Sequence, residues 1–155
     1  MDGIKKNIIF KPSGTASKLF VYGTLRKASG HPLHNILKDQ FEFVARGSIR
    51  GILFDIGQYP GAVISKPAKT EIVGEIYRVR DCPTSNSALK ILDEYEGYDG
   101  SDLLGSEFIR KRMFVKIQNK KKLLCWVYIY NRSVKNKHPI RSGDYIQSIQ
   151  AKDLL

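Results

Sequence analysis

The stretch Leu19-Phe20-Val21-Tyr22-Gly23-Thr24-Leu25-Arg26 constrains this chain more than any other. An apolar run with aliphatic, β-branched and aromatic side chains reads as a buried strand. The run stops at Gly23-Thr24, where a residue without Cβ is expected to turn the backbone without strain. A strand ending in a glycine turn leaves several backbone N–H groups unpaired and pointing one way, a geometry that cradles an anion or a developing oxyanion. Strand exits of this kind also occur where nothing binds. The loop therefore acquires chemical meaning only beside a second reactive group.

The 155 residues are enough for one domain with a real core, and an apolar fraction of 42% fits a folded globular chain. No apolar run approaches the roughly 20 residues that span a bilayer. The apolar part of the N-terminus, Ile8-Ile9-Phe10, is too short for a signal-peptide core, so a cytoplasmic location is expected. Residues 1–17 read as an N-terminal extension, expected to be disordered, and residues 18–155 as a single domain. Cys82 and Cys125 fall in a turn and a strand pattern, with no nearby histidine to make either a nucleophile. His31, His34 and His138 have no carboxylate or thiol at zinc-binding spacing and read as surface or capping residues.

The net charge of +11 raises the question of nucleic acid. The basic residues are dispersed, however, and Lys120-Lys121-Lys122 sits between two strand patterns as a solvated hairpin tip. No zinc-finger, helix-turn-helix or RNA-binding aromatic signature is present. Neither a nucleic acid nor a membrane is expected as a partner.

Strand patterns follow at 41–45 continuing through Gly47 to Asp55, at 62–64, at 72–79 with Gly74 allowing a bulge or close approach, at 108–117 and at 123–130. A short helix is expected over 32–38, with Leu33, Ile36 and Leu37 on one face. A terminal helical turn is expected after Ser142-Gly143-Asp144. The pattern predicts an α+β fold: a small, mostly antiparallel β barrel with flanking short helices.

The strongest helical periodicity opens near Pro83 to Ser85 and stops at Gly97. Ala88, Ile91, Leu92 and Tyr95 define its expected buried stripe, with Leu89 beside them, while Lys90, Asp93 and Glu94 fall toward solvent. Glu96 lies four residues past Leu92 and seven past Leu89, on the inward side of the last turn. Partial desolvation and the negative end of the helix dipole both disfavour its charged form, which suits a carboxyl group to proton transfer near neutrality.

Together these features resemble the gamma-glutamylcyclotransferase-like family, especially the gamma-glutamylamine cyclotransferase branch and its bacterial relatives. The resemblance covers nearly the whole chain after residue 17. It runs through Val21-Tyr22-Gly23-Thr24-Leu25, Gln58-Tyr59-Pro60-Gly61-Ala62-Val63 and Gly74-Glu75-Ile76-Tyr77. It continues through Leu92-Asp93-Glu94-Tyr95-Glu96-Gly97 and the strand ending Tyr128-Ile129-Tyr130-Asn131.

The resemblance implies a γ-glutamyl substrate, held by Tyr22, Gly23, Thr24 and Leu25, with Glu96 as catalytic base. It implies cyclisation to 5-oxoproline by intramolecular acyl transfer with release of an amine, a reaction of transferase or lyase type that needs no cofactor or metal. The chain departs from the pattern after Gly97, where a longer loop (residues 98–110) is expected to reshape one wall of the cavity. Some bacterial relatives carry their glutamate at a position resembling Glu107 instead, and this chain has both. Glu107 is the alternative base. The alternative function is a non-catalytic module on the same fold that binds a small ligand or a protein.

Overall fold

The computed structural model describes residues 18–32, 34–79 and 85–154. Residues 1–17, Cys82, the expected helix start at Pro83-Thr84, and the side chains of Leu33, Ile36, Leu37 and Ala88 lie outside them.

Among the described residues, seven strands form one sheet: β1 (Lys18–Val21), β2 (Phe41–Asp55), β3 (Pro60–Ile64), β4 (Glu71–Val79), β5 (Phe108–Lys116), β6 (Lys122–Tyr130) and β7 (His138–Pro139). The order β2-β4-β1-β6-β5 closes on itself through Ser48 of β2 and Lys116 of β5. The result is a five-stranded barrel, with β3 and β7 added along the far end of β2. Its pairings are antiparallel except β1 with β6, which run parallel through Leu19 with Trp126 and Phe20 with Val127. The expected α+β barrel with flanking helices is the fold found.

The core explains why β1 carries no polar alternation. Phe20 and Tyr22 point into the barrel, joining Ile49, Ile76, Val115, Cys125 and Val127. Leu19 and Val21 point outward into a second apolar layer with Phe41, Tyr77, Leu92, Phe108 and Tyr128. Both faces are covered, as in strands at the centre of a layered sheet. Gly47 of β2 pairs with Gly74 of β4. A Cβ on Gly74 would lie 2.3 Å from the Val21 carbonyl oxygen, so the close approach anticipated there is real.

Among the described residues, three α-helices flank the barrel: α1 (His34–Gln40), α2 (Ser85–Tyr95) and α3 (Tyr145–Asp153). The expected helix over 32–38 starts and ends two residues later. The expected terminal turn is a helix of nine residues, because Asp144 caps it by accepting from the N–H groups of Ile146 and Gln147. No helix among the described residues is long and apolar enough to cross a membrane. The lysine triplet does sit at the β5–β6 hairpin tip. There Asn119 and Lys120 both adopt positive φ, 63° and 60°, and Lys121 N–H closes the turn on Gln118. Twisted hairpins favour this two-residue turn, and its second position favours glycine.

Lys120→Gly is expected to stabilise the fold by about 0.5–1 kcal/mol, since left-handed backbone is costly for a residue with Cβ. For a domain of this size that corresponds to a rise of roughly 1–4 °C in Tm. Calorimetric scans of the two proteins check it.

Candidate functional site

The loop after β1 and the end of α2 meet at one cavity of about 340 Å³. Tyr22, Gly23, Thr24, Leu25 and Glu96, the residues expected to form a site, all line it. The opposite rim is built by Gln58, Tyr59 and Pro60 from the β2–β3 turn, with Glu107 and Phe108 at the start of β5.

Each loop residue is fixed for a separate reason. Tyr22 is buried, and its hydroxyl donates to the Tyr128 carbonyl oxygen at 2.6 Å while accepting from Ala62 N–H at 3.2 Å. It braces the cavity floor between β6 and β3. Gly23 does not adopt positive φ, so backbone strain is not why it is glycine. A Cβ there would lie 2.8 Å from the Pro60 ring, and close approach is the physical requirement. The turn closes with Arg26 N–H donating to the Gly23 carbonyl oxygen at 3.0 Å. Thr24 Oγ1 shares a hydrogen bond of 3.0 Å with the Tyr95 hydroxyl, joining the loop to α2. Among the described residues, nothing accepts from the backbone N–H groups of Gly23, Thr24 or Leu25.

An ion-paired anchor holds the loop from behind. Arg26 is 3% exposed; its Nη1 donates to Asp144 Oδ1 at 2.8 Å, and its Nε lies 3.4 Å from Glu75 Oε2. Glu75 also accepts from Lys27 N–H and from the Tyr77 hydroxyl. Sequence reading did not find this cluster, because its three charged members lie far apart in the chain.

Glu96 occupies the C-cap of α2. Gly97, at φ 66°, ends the helix in the left-handed conformation. Gly97 N–H bonds to the Glu94 carbonyl oxygen and Tyr98 N–H to that of Asp93, the paired bonds of a Schellman cap. Glu96 N–H still bonds to Leu92, so the side chain keeps the inward azimuth of the last turn.

No described group donates a hydrogen bond to its carboxylate. Burial first, and then the charges of Glu107 and Asp93, push the Glu96 carboxyl up to about 8. The raised value was expected from desolvation and the helix dipole; the two neighbouring carboxylates were not foreseen as causes.

The helix stripe differs in detail from its expectation. Leu92 is fully buried, but Ile91 and Tyr95 are 42% and 38% exposed. Asp93, expected in solvent, turns inward to accept from the Tyr128 hydroxyl at 2.6 Å and lies 3.5 Å from Arg110 Nη1. The aromatic rows of β5 and β6 explain this. Arg110 stacks over Tyr98 and Trp126, and together with Tyr128 it offers Asp93 a better environment than water.

Of the loop 98–110, expected to reshape one wall of the cavity, Glu107 and Phe108 line it and residues 98–106 do not. The loop is tied to β6 instead, where Asn131 Nδ2 donates to the carbonyl oxygens of Leu103 and Ser106. Its contribution is to deliver Glu107. The Glu107 N–H bonds to the Gly97 carbonyl oxygen at 2.9 Å, and its carboxylate accepts from the Tyr59 hydroxyl. Tyr59 is the member that sequence reading left out, although its Tyr59-Pro60-Gly61 turn was visible. Cys125 is a buried core thiol pushed up to about 12 by desolvation. No group of histidines, cysteines and carboxylates among the described residues is arranged to hold a metal.

The site is thus a closed five-stranded barrel whose first strand hands over to a glycine loop beside a desolvated carboxyl at a helix end. Residues 19–147 match the family described as "Gamma-glutamyl cyclotransferase, AIG2-like", and the chain belongs to that family. It is 30% identical over 130 residues to the gamma-glutamylcyclotransferase family protein YtfP of Escherichia coli strain K12, covering 83% of this chain and 96% of YtfP. The fold is similar to that of an AIG2-like protein from Mus musculus, with a TM-score of 0.58 and 25% identity over 77% of this chain and 80% of that one. It is also similar to YkqA from Bacillus subtilis, with a TM-score of 0.65 and 24% identity; the match covers 90% of this chain but 43% of YkqA.

Two outcomes are expected here. Gly23→Ala drives a methyl group against Pro60 and destabilises the fold by about 1–3 kcal/mol, measurable by urea unfolding. Glu96 binds its proton more tightly folded than unfolded, where its ordinary value is 4.5. Its stabilising contribution is therefore complete below about 4.5 and lost as pH rises through about 8, with a slope of at most about 1.4 kcal/mol per pH unit. Glu96→Gln flattens that slope and is more stable than wild type at pH 9.

Proposed function

We propose that this protein cyclises a γ-glutamyl amide or γ-glutamyl amino acid to 5-oxoproline and releases the amine, with Glu96 as general acid/base. The observation that carries this reading is an unpartnered, desolvated Glu96 carboxyl sharing one cavity with the unspent N–H groups of Gly23, Thr24 and Leu25. Membership of the family and its similarity to YtfP support it.

Such a substrate carries its own nucleophile, an α-amino group within ring-closing reach of the side-chain carbonyl. Three obstacles stand in the way. The amine is protonated, the amide is a poor electrophile, and an open chain seldom adopts the cyclising rotamer.

Glu96 addresses the first. An ammonium group seated beside it favours the ionised carboxylate, so its proton leaves as substrate arrives. The carboxylate then takes one proton from the ammonium, passes it to the departing amine nitrogen after ring closure, and takes the second proton from the ring nitrogen, which returns Glu96 to its protonated resting form. The loop N–H groups address the second by donating to substrate oxygen, where one such donor is worth about 3 kcal/mol. The confined cavity addresses the third by holding the bent conformer, and proximity contributes several kcal/mol more. Tyr22 supports this wall through its two hydrogen bonds.

The test is 5-oxoproline release from a panel of γ-glutamyl amines, γ-glutamyl amino acids and glutathione. Wild type is expected to turn over at least one class, and Glu96→Gln to lose at least a hundredfold in kcat while remaining folded. The rate constant kcat/KM should rise with pH through about 8, as Glu96 in the free protein ionises. Silence across the panel, or wild-type kcat in the glutamine variant, overturns the reading. Silence would favour a binding module.

A further inference from the structure

The cavity carries a second carboxylate that proton transfer by Glu96 leaves without a task. Glu96 and Glu107 reach it from different elements, α2 and the start of β5, and are locked together through the Gly97 carbonyl oxygen and the Glu107 N–H. Tyr59 approaches from the β2–β3 turn and donates its hydroxyl hydrogen to Glu107 Oε2, so the carboxylate acts as an acceptor there. Glu96 has no partner among the described residues. In a chain of net charge +11, no lysine or arginine is among the described residues lining this cavity. The Glu107 and Glu96 carboxyl groups face this space, with His31 as the one basic residue among the described lining, an arrangement complementary to a positively charged group.

We propose that Glu107, held by Tyr59, docks the substrate's α-ammonium group beside Glu96, making the site selective for γ-glutamyl compounds with an unsubstituted α-amino group. An ammonium has three N–H bonds. One donates to Glu107 and is kept as the lactam N–H, the second gives its proton to Glu96, and the nitrogen lone pair so released points at the γ-carbonyl carbon; the third leaves the ring nitrogen for Glu96 once Glu96 has protonated the departing amine. Glu107 exchanges no proton; it fixes the nitrogen while Glu96 works on it. This assignment rests on the cyclisation reading for its chemistry, but its binding consequence is measurable without turnover.

The experiment is titration calorimetry with Glu96→Gln, using γ-glutamylethylamide and its Nα-acetyl derivative as probes. The variant is expected to bind the free-amino probe at least tenfold more tightly than the acetylated one. Glu96→Gln/Glu107→Gln should lose that preference, because a charge-assisted hydrogen bond becomes a neutral one. In the otherwise wild-type protein, Glu107→Gln should raise KM tenfold or more, with a smaller change in kcat. Tyr59→Phe should raise KM less, and it provides the same comparison if the Glu107 variant fails to fold.

Equal binding of the two probes to Glu96→Gln, or a preference that survives loss of Glu107, overturns the assignment while 5-oxoproline release by wild type upholds cyclisation. A preserved preference in a protein that releases no 5-oxoproline overturns cyclisation and upholds the ammonium site. Failure of both readouts overturns both.

Discussion

Burial of β1 on both faces is the constraint on which the rest of the molecule depends. Its four residues pair antiparallel with β4 on one side, and two of them, Leu19 and Phe20, pair parallel with β6 on the other. The pairing of β2 with β5 closes the barrel, and the parallel contact joins its β2-β4-β1 half to its β6-β5 half. It also brings the carboxyl end of β1 alongside the carboxyl end of β6, so the chain leaves the sheet next to Tyr128 and beneath the last turn of α2. A strand with one wet face would have no reason to sit there. The cavity is thus a by-product of closure: neighbouring strand ends leave a gap that helix α2 and the β2–β3 turn only partly cover.

The cavity's electrostatics run against the rest of the surface. A carboxyl group pushed up to about 8 by burial, with two other acids adding to the effect, is a local cost that the core must offset. Barrel and outer layer together hold some twenty buried apolar side chains, which is where the offset comes from. The Schellman cap makes the arrangement stiff. Gly97 both stops the helix and, through its carbonyl oxygen, sets the position of Glu107, so one residue spaces two acids.

Much of this was legible in the sequence, for identifiable reasons. Strand periodicity and the Gly97 stop are local signals, and they located the barrel strands and the inward azimuth of Glu96. The loop residues 22–25 were visible because an uninterrupted apolar run ended at a glycine. What sequence did not disclose is long-range. The need for glycine at position 23 comes from Pro60, 37 positions away, rather than from its own backbone. Asp93 reads as a solvent residue on a helical wheel, and turns inward because β5 and β6 present Arg110 and Tyr128 to it. The pairing of Tyr59 with Glu107 spans 48 residues and leaves no trace in periodicity.

Arg26 carries a consequence for how the two ends of the domain communicate. Its side chain is 4% exposed and its guanidinium divides its charge between Glu75 and Asp144, and Asp144 in turn caps α3. Unravelling that last helix would release the aspartate and leave a cation enclosed with half its neutralisation. Relief could come only by withdrawing the guanidinium, and the segment that would have to move with it is the turn from Gly23 to Arg26. Wear at the carboxyl-terminal helix would therefore register at the cavity mouth before it loosened the barrel.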